Sequence, residues 1–181
     1  MKFGTGESEL DDIDRHILAL LQENCKLPLA KISERVGLSA PTVIERIKKL
    51  EDQQIITGYH AILNGRRLGL DVTAFIGVAV RHPTLVGDFE REIETLDAVL
   101  ECHHVTGHHT LLLKVKTQNT STLEALISCL RSIEGVERTE TMVVLSTRTE
   151  RTQVPLHFDE TVAARRPRRH TDKASIHLKG V

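Results

Sequence analysis

The chain has no tryptophan, one tyrosine and four phenylalanines, so aromatics make up only 3% of its 181 residues. Any core must therefore be aliphatic, built from Leu, Ile and Val. Cysteine is almost as scarce: Cys25, Cys102 and Cys129 are odd in number, widely spaced and form no CxxC pair. Such spacing supplies neither a disulfide framework nor a zinc ribbon. No stretch approaches the roughly 18 uninterrupted apolar residues of a membrane span, and Met1 to Leu10 carries no apolar leader segment. A cytoplasmic protein with no membrane contact is expected. Charge of one sign is lacking too. The formal net charge is -1, so any case for nucleic acid must rest on where the charges lie. No Ser-His-Asp order, paired carboxylate set or glycine-rich phosphate loop is recognisable, and neither an enzyme nor a cofactor is expected.

What is present has clear periodicity. Ile13, Ile17, Leu20 and Leu21 recur at helical spacing behind Asp11, Asp12 and Asp14, which favour a helix N-terminus. Leu29, Ile32 and Val36 mark a second helix after Pro28, and Gly37 is suited to cap it. Ser39 can cap a third helix, with Pro41 in its first turn and Val43, Ile47 and Leu50 on one face. Three short helices with a Gly-containing turn between the second and third make a helix-turn-helix. From Ile55 to Leu63 the chain reads as extended, and Asn64-Gly65 as a turn.

The second half changes rhythm. Leu70 to Arg81 reads as a buried strand, and Leu85, Phe89, Ile93 and Leu96 as a helical stripe. Val99 to Thr106 and Thr110 to Thr117 read as strands joined at Gly107. Leu123, Leu126, Ile127 and Leu130 mark a helix, and Val136 to Arg148 a last strand. The order β-α-β-β-α-β is ferredoxin-like. The expected fold is α+β, in four segments. Residues 1–9 form a flexible N-terminus. Residues 10–63 form a winged-type helix-turn-helix domain with a linker strand, and residues 64–152 a ferredoxin-like domain for oligomerisation and sensing. Residues 153–181 form a basic tail. From Glu160 onward that tail has six basic residues against two acidic ones, a surplus of +4, and includes Arg165, Arg166, Arg168 and Arg169.

Several short motifs carry a family resemblance. They are Leu10-Asp11 with Asp14-Arg15 and Ile17-Leu18; Gly37-Leu38-Ser39; Arg46 with Lys49-Leu50-Glu51; Ile55-Ile56 with Gly58-Tyr59; and Val105-Thr106-Gly107 followed by Leu111 to Val115. In this order, over roughly residues 10 to 150, they resemble the Lrp/AsnC (feast/famine) transcriptional regulators. The resemblance implies a regulator that binds double-stranded DNA and pairs as a homodimer through the β-α-β-β-α-β domain. Such dimers stack further, up to an octamer, and respond to an amino acid or related small molecule. It also places the effector pocket beside the hairpin, at Thr106, Gly107, His108, His109 and Thr110. The chain departs from the pattern at four places. Gln54 stands where a Gly usually follows the recognition helix, His108 and Thr110 where acidic residues often follow the hairpin glycine, and the basic tail runs past the usual end. The missing carboxylate implies weaker or altered amino-acid sensing.

At roughly 100° per residue, Val43, Ile47 and Leu50 fall within about 60° of one another. Thr42, Glu45 and Lys49 share a different face, with Arg46 flanking it. That face is the one to enter the major groove. Arg46 suits guanine, Glu45 suits cytosine N4–H and Thr42 a base edge, while Lys49, Ser39 and the helix start at Pro41 suit phosphate. Without the flanking helices this face would be read as a merely solvated one. The run Cys102-His103-His104-Val105-Thr106-Gly107-His108-His109 is the most unusual local feature. Across a hairpin, His103 and His109, or His104 and His108, can face one side. Yet that spacing is no ligand motif and no carboxylate completes it, so no metal is expected. The histidines also keep open an enzyme alternative, a tetrapyrrole decarboxylase-like protein of similar architecture. A broadly binding DNA-organising protein is the third alternative. The tail has two readings, an arm that touches phosphate or an expendable solubilising segment.

Overall fold

The computed structural model describes residues 10–156, in two compact units: residues 10–60 with 151–156, and residues 61–150. The basic residues from 165 onward lie outside the described residues, as does the segment 1–9. None of the helices described is long and apolar enough to cross a membrane.

The first unit holds α1 (Asp12–Glu23), α2 (Leu29–Val36) and α3 (Ala40–Asp52). Asp11 caps α1 by accepting the Asp14 N–H at 2.7 Å, a cap of the kind that contributes about 1 kcal/mol. Gly37, at φ 70°, ends α2 in the left-handed conformation, and Ser39 then caps α3. Each helix is too short to persist alone, so burial has to hold them. Ile17, Leu18, Leu20, Ile32, Val43 and Leu50 form that shared core.

α3 closes in a Schellman motif. The Ile55 N–H reaches the Leu50 carbonyl at 2.9 Å and the Gln54 N–H reaches Glu51 O at 2.9 Å. This geometry needs a left-handed residue, and Gln54 takes it at φ 56°. The motif also explains a difference from the extended segment expected over 55–63. It turns Ile55 and Ile56 back onto the helical core, and the described residues of this unit contain no strand.

The second unit holds β1 (Val72–Val80), α4 (Val86–Ile93), β2 (Val99–His104), β3 (Leu111–Thr117), α5 (Thr120–Ser132) and β4 (Val136–Val143). The strands form one antiparallel sheet in the order β2-β3-β1-β4. Alternation decides its faces. Ala74, Ile76, Val78, Leu111, Leu113 and Val115 pack against Phe89 and Ile93 of α4 and Leu123, Leu126 and Leu130 of α5. No helix of this core covers the other face, which carries Phe75, Leu112, Lys114 and Met142. β4 stops short of Arg148 because its partner β1 ends at Val72; Val144 makes one last backbone bond, to Thr73 O.

Candidate functional site

The helix α3 separates its residues as an amphipathic rod should. Val43 and Leu50 are buried, whereas Pro41, Glu45, Lys48 and Lys49 are exposed. Lys48 was missed by the sequence reading, although its angular position lies beside Glu45. Ser39 serves the helix itself, since its Oγ accepts the Thr42 N–H at 3.4 Å and lies 2.8 Å from the Thr42 hydroxyl. Thr42 is half-buried, with that hydroxyl already engaged.

Arg46 is not on the free face. Its Nη1 donates to Asp11 Oδ2 at 2.6 Å and to Asp14 Oδ1 at 2.7 Å. Its side chain is only 28% exposed, and that of Asp14 only 7%. Both carboxylates sit at the start of α1, so the pair fastens α3 to α1. The hydrogen bonds Arg46 donates to Asp14 and Asp11 raise its pKa above the ordinary value. Burial pushes the Asp11 pKa up, but the Asp14 N–H and the Arg46 guanidinium outweigh it, and the result is below the ordinary carboxylate range. The guanidinium expected to meet guanine is engaged in this structure by an ion pair within the domain. The signal for it was present as two acidic residues three apart on α1, but their position at a helix start explained them without a partner.

The hairpin joining β2 and β3 spans residues 105–110, a longer loop than a turn centred on Gly107 alone requires. Thr106, Gly107 and His108 are exposed, and Gly107 has φ 115°. Thr110 belongs to the sheet: its N–H donates to Val78 O at 2.8 Å, and its hydroxyl accepts the Val80 N–H at 3.1 Å. His109 lies over Gly77 on the open sheet face. A Cβ at Gly77 would meet its ring at 2.5 Å, so only glycine leaves it room. Its Nε2 is 3.1 Å from Glu140, while its Nδ1 is buried without a hydrogen-bond partner.

The remaining histidines diverge. His103, beside outward Leu112, pairs with Glu101 at 3.2 Å. His104, beside buried Leu111, pairs with Glu90 of α4 at 2.6 Å. His103 and His109 do share the open face, but β3 lies between β2 and β1, and two strand spacings separate them by about 10 Å. Among the described residues no three His, Cys, Asp or Glu side chains come together as a metal site would require. Lys114 instead gathers Glu101 at 3.0 Å and Glu150 at 2.9 Å on that face. These contacts raise the Lys114 pKa, and the Lys114 ammonium and then His103 lower that of Glu101.

Comparison with known proteins matches residues 10–51 to the AsnC-type helix-turn-helix domain and residues 73–154 to the Lrp/AsnC ligand binding domain. The HTH-type transcriptional regulator FL11 of Pyrococcus abyssi is 37% identical over 147 residues, covering 81% of this chain and 97% of that protein. Regulatory protein AsnC of Escherichia coli K12 is 31% identical over the same shares. Among solved structures, Escherichia coli AsnC superposes with a TM-score of 0.76 at 31% identity, covering 81% of this chain and 99% of that one. A transcriptional regulator of Neisseria meningitidis, solved as its L-Met complex, gives a TM-score of 0.77 at 32% identity, covering 81% of this chain and 96% of that one.

Proposed function

The chain belongs to the Lrp/AsnC family of transcriptional regulators, and from that premise we propose that it binds double-stranded DNA as a homodimer, with α3 in the major groove and a small effector near the β2–β3 hairpin. The observation that carries the reading is the division of α3, with Val43 and Leu50 held inside while Glu45, Lys48 and Lys49 stand free together. Of the residues assigned to DNA, Glu45 reads a base edge, Lys49 holds phosphate, and Ser39, Pro41 and Thr42 form the helix start that approaches the backbone. Arg46 orients α3 from behind and is a positioning residue.

Pairing through the second unit is supported by the sheet face that its own helices leave uncovered, where Phe75 and Leu112 lie beside exposed Met142. A second copy also supplies the second half-site that one recognition helix lacks. Effector binding is supported by the L-Met complex of the Neisseria meningitidis protein. Here the exposed loop atoms belong to Thr106, Gly107 and His108, while His109 and Thr110 are engaged within the sheet. With no carboxylate in the loop to meet an ammonium, response to ordinary amino acids is weakened or altered. Action in the cytoplasm follows from this role.

Footprinting on the protein's own promoter locates an operator, and binding of Glu45→Ala and Lys49→Ala to operator variants then tests the face. Glu45→Ala should relax preference at one position by about 1–3 kcal/mol, and Lys49→Ala should weaken all sequences alike. If both variants match wild type in affinity and preference, α3 is not the reading element. Equal wild-type affinity for operator and random duplex would indicate a DNA-organising protein instead.

A further inference from the structure

The exposed side of α3 holds one residue out of keeping with it. Of the four branched aliphatic side chains on this helix, Val43 and Leu50 are buried and Ile47 packs partly buried against the same core, but Ile44 is 48% exposed. It borders a groove of about 480 Å³ with Leu29, Ile47, Lys48, Glu51 and Asp52, so the helices of its own domain do not cover it. The helix draws little from it either, since a β-branched side chain is a poorer helix former than Ala, Lys or Glu. A lone exposed isoleucine is ordinary on a protein surface. This one is set apart by its neighbours.

Arg46 is drawn onto Asp11 and Asp14, and the Thr42 hydroxyl is engaged with Ser39. The residues of α3 left facing solvent are Pro41, Ile44, Glu45, Lys48, Lys49 and Asp52. At roughly 100° per residue they cover an arc of about 140°, with Ile44 at one edge and Lys49 at the other. Lys48 lies only about 40° from Ile44 on that arc, so a polyanionic duplex attracted to its ammonium meets the isoleucine as well. Ile44 and Glu45 also lie in the first two turns, the part of a recognition helix whose side chains reach base edges. There the major groove offers one apolar group suited to such a side chain, the C5-methyl of thymine.

We propose that Ile44 reads the C5-methyl of a thymine in the operator, so that α3 recognises its half-site by an apolar contact beside the polar one from Glu45. The proposal rests on the DNA-binding reading above and deepens it. On docking, the isoleucine leaves water and the thymine methyl covers it. Any other base at that place sets polar edge atoms against the isoleucine, and these lose water without gaining a partner. Burial of one methyl group changes affinity by about 4-fold. Two-fold pairing applies the contact twice, which makes about 16-fold over both half-sites.

Deoxyuridine tests this without touching the protein, because it pairs as thymidine does and lacks only the C5-methyl. The probe is the footprinted segment of the protein's own promoter, with its thymines replaced one at a time and then in symmetric pairs. Wild-type full-length protein should lose about 4-fold in affinity at one thymine of each half-site, and about 16-fold when both are replaced. Ile44→Ala should bind the unsubstituted duplex more weakly by at least that factor and lose all sensitivity to the replacement. The wild-type arm needs no variant, so it decides the matter whatever Ile44→Ala does to folding. Lys49→Ala, which removes a phosphate contact, should weaken both duplexes alike and keep the sensitivity. If no replacement weakens wild type, the inference is overturned while α3 remains the reading element. Equal sensitivity in wild type and Ile44→Ala assigns the methyl to another side chain and overturns it too. Loss of sensitivity in Lys49→Ala would make it a property of tight binding and not of Ile44. Wild-type protein that leaves no footprint and binds no duplex overturns the DNA-binding reading and this inference together.

Discussion

The two units bury cores of similar aliphatic character, but charge has opposite places in them. In the sheet unit the ladder and alternation do the organising. Strand faces sort themselves, the core from Ala74 to Leu130 carries no charged side chain, and the ion pairs of Lys114, His103 and His109 stay on the open face. In the helical unit no ladder fixes how the helices cross. There Asp14, 5% exposed, is the buried charged residue among those described, and it meets an arginine from a helix more than thirty residues away. A sheet can leave its charges outside, whereas three short helices use a charge pair to set their packing.

Deleting one key residue from each unit should hurt both, for different reasons. Leu113→Ala removes a fully buried side chain under α4 and α5 and should cost the sheet unit about 3–4 kcal/mol by lost transfer and cavity. Arg46→Ala should cost the helical unit about 3 kcal/mol, because it leaves Asp14 buried without its counter-charge. Since a two-unit protein need not unfold in one step, hydrogen exchange resolved by residue is the measurement. Each substitution should lower protection in its own unit. Replacing the set together, Asp14→Leu with Arg46→Met, should recover most of the Arg46→Ala loss. If Arg46→Ala weakens DNA binding while leaving protection in α1 and α3 untouched, the pair is incidental and Arg46 is a base reader after all.

Acid should sharpen the same contrast. The folded pKa of Asp11 lies below its unfolded value, so its contribution is present above the ordinary carboxylate range and lost as pH falls through the lowered folded value. Asp11→Asn should flatten the acid limb of stability in the helical unit and leave that of the sheet unit unchanged. Glu101, lowered by Lys114, governs its own part of the sheet unit's acid response. An unchanged acid limb in Asp11→Asn would show that the Arg46 contact does not persist in solution.

The contrast also explains what the sequence could show. The order and type of the five α-helices and four strands were legible, because period-two and period-3.6 patterns are local and each core face is uniformly apolar; the single 3-10 turns at Gly65–Leu68 and Pro83–Leu85 and the want of a strand directly after α3 were not. The outward face of α3 was legible for the same reason. Arg46 was not. On a helical wheel it lies about 60° from the centre of the apolar face and about 60° from the centre of the polar one, so its own helix leaves its direction undecided. What decides it is Asp11 and Asp14, distant in sequence and already accounted for as N-terminal acids. His109 was obscured in the same way. Its resting place over Gly77 depends on β1 lying beside β3, a pairing that no count along the hairpin contains. The hydrogen bonds between the Gln22 side-chain amide and the Val154 main chain had no local signal at all, since they join residues 132 apart.

The smallest expected effect concerns the two left-handed residues that end helices in the same unit. Gly37 ends α2 at φ 70° and Gln54 follows α3 at φ 56°. The conformation is free for the first and costs an L-residue with a Cβ about 1–2 kcal/mol. Gln54→Gly should relieve that strain, less about 0.5–1 kcal/mol for glycine's greater freedom in the unfolded chain. The exposed bond from Gln54 Nε2 to Glu51 O, 3.3 Å long, is lost as well and is worth little in water. The net expectation is a gain of about 0.5–1 kcal/mol, read as a higher denaturant midpoint for the helical unit. Gln54→Ala keeps the Cβ and should show no gain, which separates relief of strain from mere loss of a side chain. Gly37→Ala is the mirror experiment and should cost about 1 kcal/mol. If Gln54→Gly is no more stable than wild type, the turn after α3 is not under strain. The departure at this position would then be neutral to the fold, and a role for the Gln54 side chain itself would have to be sought at the end of α3.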